Sequence, residues 1–122
     1  MEITLRLFLR NSIARAIPIF MAPGITGIVN DGDMDADGIQ AGLNFPSFPG
    51  FAGGKFFGLK DRELALACVQ AYNDWHIDEW CGHAPDRFIP LAIVPFWDPV
   101  ASAEEALRLR ESGALQHFGG PL

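Results

Sequence analysis

Positive charge is scarce in this chain: nine Lys and Arg stand against 15 Asp and Glu, for a net charge of -6 and an isoelectric point near 4.8. A surface of that sign repels phosphate backbones, and no basic stripe with interleaved aromatics offsets it, so nucleic acid is excluded as a partner class. Long apolar runs are also lacking. The longest uncharged stretch, "AIPIFMAPGITGIVN", falls short of the ~20 residues a membrane span needs, and Pro18, Pro23, Gly24 and Gly27 interrupt it. No membrane partner is expected. Cysteine is limited to Cys68 and Cys81. They fall in one helical pattern 13 residues apart, hence about 20 Å apart, too far to bridge. A reduced, cytoplasmic setting is expected. The sequence holds no G-x-S-x-G, P-loop or dinucleotide fingerprint, which removes the signatures of those chemistries.

What the chain has instead is turn residues and apolar bulk, with 13 Gly, nine Pro and 49% hydrophobic residues among 122. That length suits one modest core. The start, "MEITLRLFLRNSIARAIP", carries Arg6, Arg10 and Arg15 with a single acid. It is read as an amphipathic helix or an ill-chosen start rather than a transit peptide, and the pattern of residues 1–32 connects poorly with that of the residues after them.

"DGDMDADGIQ" spaces Asp33, Asp35 and Asp37 like the first half of a calcium loop, with Gly38 at the sixth position. Such a loop is completed by a bidentate Glu at position 12. Here position 9 is Ala41 and position 12 is Asn44. The aspartates are therefore expected at a helix end near Met34 to Asp37, with Gly38 as its left-handed terminus. A strand is expected near Ala41–Phe45, then a loop, "FPSFPGFAGGKFFGLK", whose five Phe must be covered or line a pocket.

"DRELALACVQAYNDWHIDEWCGHAP" predicts a helix over Arg62–Cys81, with Asp61 as N-cap and Gly82 and Pro85 as its end. Leu64, Ala67, Cys68, Ala71, Tyr72 and Trp75 share its buried face. "RFIPLAIVPFW" predicts a strand over Phe88–Pro95, buried on both faces as in a parallel sheet. "DPVASAEEALRLRESG" predicts a helix over Pro99–Ser112, with Asp98 as N-cap, Pro99 at the first position, Val100, Ala103 and Leu107 on the buried face and Gly113 as cap. Strand, helix, strand, helix implies α/β architecture with parallel strands and helices on one side.

The side chains able to do chemistry do not assemble by spacing. His76, Glu79 and His83 stand at i, i+3 and i+7, but the helix is expected to end before His83 aligns, which leaves them as surface polar residues. Asp74, Asp78 and Glu79 read as the wet side of the helix. Cys81 lacks a base or cationic partner in sequence and is expected to be unreactive.

"MDADGIQAGLNFPSF", "DRELALACVQAYNDW" and "APDRFIPLAIVPFWDPVASAEEALRL", in that order and spacing, resemble the amidohydrolase-related family. This is the branch of metal-dependent TIM-barrel hydrolases and decarboxylases that includes aminocarboxymuconate-semialdehyde decarboxylase. Tyr72-Asn73-Asp74-Trp75, Pro85-Asp86-Arg87 and Val94-Pro95 carry the resemblance, which covers Asp33 to Ala114 and leaves 115–122 as a tail. It implies a fragment of a (β/α)8 barrel: two or three parallel strands with their helices, from the region of the second and third strands. The family holds a divalent metal, zinc foremost, through a His-x-His pair, a further His and an Asp, and uses it on small carboxylated or cyclic substrates. This chain has no His-x-His, and His76, His83 and His117 do not match ligand positions. No metal ligand and no catalytic residue is therefore assigned, and the chain is expected to be a partial or truncated product, inactive alone. Pro46 and Ser47, and Phe96 and Trp97, come after the C-terminal ends of the expected strands, where barrels build their active sites. They are the substrate-pocket candidates, for a small-molecule substrate bound only in a complete barrel. Open strand edges make self-association an expectation. The alternative is a non-catalytic interaction module on the same scaffold.

Overall fold

The computed structural model describes residues 31–43, 49–50 and 53–112. A short helix α1, Asp31–Ala36, leads to strand β1, Gly42–Leu43. Helix α2 is Gly54–Phe57 and helix α3 is Arg62–Asp74; α3 runs into a π-helical segment, Trp75–Trp80, and a 3-10 turn, Cys81–His83. Strand β2, Phe88–Ile89, and helix α4, Pro99–Glu111, complete the order. The two strands pair in parallel, Gly42 beside Phe88 and Leu43 beside Ile89, so the described part is α/β.

The end of α1 shows how local chemistry positions β1. Gly38 has φ 69, the left-handed conformation that costs glycine no Cβ clash. Its N–H donates to Asp35 O, and the Ile39 N–H donates back to Met34 O at 2.8 Å. This is a Schellman termination. The aspartates are thus helix and helix-end residues, as the failed calcium pattern implies. Arg87 fixes the turn from the other strand: one of its terminal nitrogens donates to Asp35 Oδ1 and the other to Ile39 O, each at 2.7 Å. Gly42 N donates to Arg87 O at 2.7 Å, which opens the strand pair.

Both long helices begin as their sequences predict. Asp61 accepts from Glu63 N and Leu64 N, and Asp98 accepts from Val100 N and Ala101 N at 3.0 Å each, with Pro99 in the first turn of α4. Asp98→Ala is expected to cost about 1 kcal/mol. A lower denaturation midpoint with unchanged slope would show it, and Asp98→Asn should retain most of the stability. The expected cap at Gly113 lies outside the described residues.

The second strand departs from expectation in length, and Asn44 and Phe45 of the first lie outside the described residues. Pairing covers Phe88–Ile89 rather than Phe88–Pro95, because Pro90 has no N–H to continue the ladder. The run is not buried on both faces either: Phe88 and Ile93 are buried, while Ile89 and Phe96 are 37% and 60% exposed. No other strand among the described residues covers that second face. Part of the expected loop is helical, since α2 turns within it and buries Phe56 while Phe57 stays out. Gly53, at φ 78, sits where a Cβ would approach Ile93 Cδ1 to 3.2 Å, so a side chain there would be strained twice over.

Helix α4 turns a different face inward from the one its apolar spacing predicts. Val100 and Leu107 are 68% and 49% exposed, and Glu105 and Leu109 are buried. The cause is a polar network. Asn73 Nδ2 donates to Ile93 O at 2.9 Å and to Glu105 Oε1 at 2.8 Å, and Asn73 Oδ1 accepts from Ile93 N at 2.9 Å. Arg108 pairs with Glu105 through both its Nε and a terminal nitrogen and with Asp74 at 2.8 Å. A buried carboxylate needs such partners, and satisfying Glu105 fixes the rotation of α4.

The core forms two clusters. Phe56, Val69, Ala71, Tyr72, Trp75 and Ile93 make the larger one, and Met34, Cys81 and Phe88 the smaller; Trp80 packs against both.

Candidate functional site

The run that follows β2 reaches Pro95, and Asp98 N donates back to Pro95 O at 2.9 Å, closing a turn around Phe96 and Trp97. Ser102 Oγ donates to the same carbonyl, so the turn is bound to the first turns of α4. Of the expected pocket residues, Phe96 projects into solvent and Trp97 packs against the larger core cluster. Pro46 and Ser47 lie outside the described residues.

Two neighbours of Trp97 are not marked by the sequence pattern. Phe57 stands 6.4 Å from it, centroid to centroid, at 50°. The Arg62 guanidinium carbon lies 5.2 Å from the Trp97 ring centroid and 5.6 Å from that of Phe57, within cation–π range of both. Arg62 also donates to Phe57 O at 2.9 Å. The result is a rim of two aromatic faces and a held guanidinium, beside the turn that follows Pro95. Arginine forks match carboxylates, and ring faces match planar substrates. The one hint in sequence is that Arg62 directly follows the N-cap Asp61, which aims its side chain back over the loop ahead of α3.

The histidine and cysteine expectations need correction. His76 is not a surface residue: it is 3% exposed, stacked on Tyr72 at 5.6 Å and 10° and set against Trp75. Cys81 does have a histidine neighbour, since its Sγ lies 3.7 Å from His76 Nε2. The expected continuous helix is what hid this contact. Residues five apart stand about 140° around an α-helix, on different faces. From Trp75 to Trp80 the backbone is a π-helix, and Cys81 N donates to His76 O, an i to i+5 bond that stacks the two side chains.

Burial decides the protonation states here. It lowers the His76 pKa to about 4 and raises that of Cys81 to about 11. At neutral pH the pair is therefore imidazole and thiol, not an activated thiolate beside a cation. The Cys68 thiol is also raised by burial. Both cysteines are free. Asp78 and Glu79 are exposed, as expected of the wet side, while Asp74 is half-buried and bridged to Arg108.

Among the described residues no group of three or more His, Cys, Asp or Glu is placed to hold a metal ion. The described donor set does not fit the ion centre that the family resemblance implies. No described helix is long and apolar enough to cross a membrane.

No family model matches the chain. It is similar to gamma-resorcylate decarboxylase of Rhizobium sp. (strain MTP-10005), at 35% identity over 78 residues that make up 62% of this chain and 21% of that protein. The similarity supports the amidohydrolase-related reading as a partial match, to about a fifth of a longer protein.

Proposed function

We propose that this chain carries one β/α portion of a metal-dependent decarboxylase of the amidohydrolase-related type, a segment of a (β/α)8 barrel whose complete form acts on small carboxylated substrates. The observation that carries this reading is the 78-residue similarity to a decarboxylase, joined to a parallel strand pair linked through helices. In this reading Phe96, Trp97, Phe57 and Arg62 belong to the substrate rim, with Arg62 facing a carboxylate and the rings walling a planar substrate. Pro46 and Ser47 are proposed for the same rim. The divalent metal, zinc foremost, would be held by residues other than the described ones, so no step of the reaction is assigned to this chain. A cytoplasmic setting without nucleic-acid or membrane partners goes with this reading.

The exposed Leu43 and Ile89, one from each strand, and Val100 and Leu107 on α4 favour self-association of the isolated chain, since uncovered strands and apolar faces seek partners. The same surfaces would serve a non-catalytic interaction module. Size-exclusion chromatography of the purified chain, followed by a zinc-supplemented decarboxylation screen, tests the proposal. The expected outcome is oligomers without turnover. A compact monomer that turns over substrate, and loses activity on substitution of His76 or Asp74, would overturn it.

A further inference from the structure

The π-helical segment Trp75–Trp80 runs into a 3-10 turn that ends at Ala84. Its specific effect is to set His76 Nε2 against Cys81 Sγ at 3.7 Å, with both residues at least nine-tenths buried. Among the described residues the only polar partner of the His76 ring is that thiol. π-turns inside helices recur at functional sites. Met34 belongs to the same buried cluster as Cys81 and Phe88, which makes its thioether the candidate for a third donor.

Thiolate and thioether are soft donors and imidazole a borderline one that copper also accepts, a set that suits Cu(I) over hard cations. Geometry and charge agree. With zinc-type bonds to sulfur and nitrogen of about 2.3 and about 2.05 Å as a guide, a 3.7 Å separation closes at an angle of about 115°, which one ion can span. A monovalent ion replacing the thiol proton leaves the site neutral, whereas a divalent ion would leave a buried positive charge without a counterion. We propose that the π-turn of this chain builds a site for one soft monovalent cation, Cu(I) or its surrogate Ag(I), bound by Cys81 Sγ and His76 Nε2 with the Met34 thioether as third donor. Binding breaks the Cys81 S–H bond, forms the sulfur–metal bond and releases one proton to solvent. No oxidant or reductant is consumed. The site is independent of the decarboxylase reading and shares no residue with the aromatic rim.

The test is titration of silver nitrate, in chloride-free buffer, into the full chain carrying Cys68→Ser, which removes the other thiol. Expected are one ion bound and one proton released per chain, a shift of the His76 imidazole NMR resonances on binding, and no comparable affinity for Zn(II). Cys81→Ser should abolish binding. Since even groups that only support a ligand change metal affinity by about tenfold or more, His76→Phe and Met34→Leu should each weaken binding by at least about that factor. Should His76→Phe fail to fold by circular dichroism, the His76 resonances of the chain with native His76 decide the question. Silver binding that leaves those resonances unmoved, or that is indifferent to Met34→Leu, would mean a bare thiol reacting with silver and would overturn the site.

Discussion

Asn73→Ala is expected to lower the stability of the chain by roughly 3–5 kcal/mol, a large share of the 5–15 kcal/mol typical of a domain. Three hydrogen bonds end on that one side chain, and all are buried. Alanine would leave the Ile93 N–H and C=O without their side-chain partner and remove a donor from Glu105, which is 1% exposed. Each orphaned group costs about 1–3 kcal/mol in desolvation that is no longer offset. Asn73→Asp should do at least as much damage, although it keeps the shape and the acceptor for Ile93 N, because it turns a carboxylate oxygen toward Glu105 Oε1, now 2.8 Å from the amide nitrogen. Arg108→Ala should cost less, since Glu105 keeps its bond from Asn73 and Asp74 is only half-buried. Denaturant midpoints for the three variants, at unchanged slope, give the ranking. An Asn73→Ala cost below that of Arg108→Ala would show that α4 is held mainly by the Arg108 ion pairs and not by the Asn73 amide.

That network also marks the limit of what spacing can reveal. The caps at Asp61 and Asp98, the glycine terminus at Gly38 and the parallel order of strands were legible because each depends on residues within a few positions or on the alternation of element types. The inward face of α4 was not. Apolar periodicity selects Val100, Ala103 and Leu107, and the chain instead buries Glu105, whose partners Asn73 and Asp74-bound Arg108 come together only in three dimensions. The π-turn was illegible for the same reason. "NDWHIDEWCG" continues an α-helical pattern without a break, and the wider turn shows only where His76 and Cys81 meet in the folded chain. Trp97 was marked by its position after an expected strand, but its neighbours Phe57, from the aromatic loop, and Arg62, from the first turn of α3, meet it only in the folded chain.

Acidification is expected to weaken the fold through His76, by up to about 3 kcal/mol between pH 6.5 and pH 4. The folded chain buries the imidazole between Tyr72, Trp75 and Cys81 and holds its pKa at about 4; the unfolded chain returns it to about 6.5. The unfolded state therefore binds the extra proton first. This contribution to stability is fully present above pH 6.5, declines as pH falls toward 4, and below 4 changes no further because both states are then protonated. Carboxylates titrate in part of the same range, so the comparison must be with a chain that shares them. His76→Phe keeps a flat ring against Tyr72 and has no proton to gain. Unfolding free energies of the two chains, measured by denaturant from pH 8 to pH 4, should diverge, with the native sequence losing ground to the variant by the amount stated. Equal pH slopes for the two chains would overturn the assignment, as would an NMR titration that finds the His76 ring protonating at the ordinary histidine value in the folded protein.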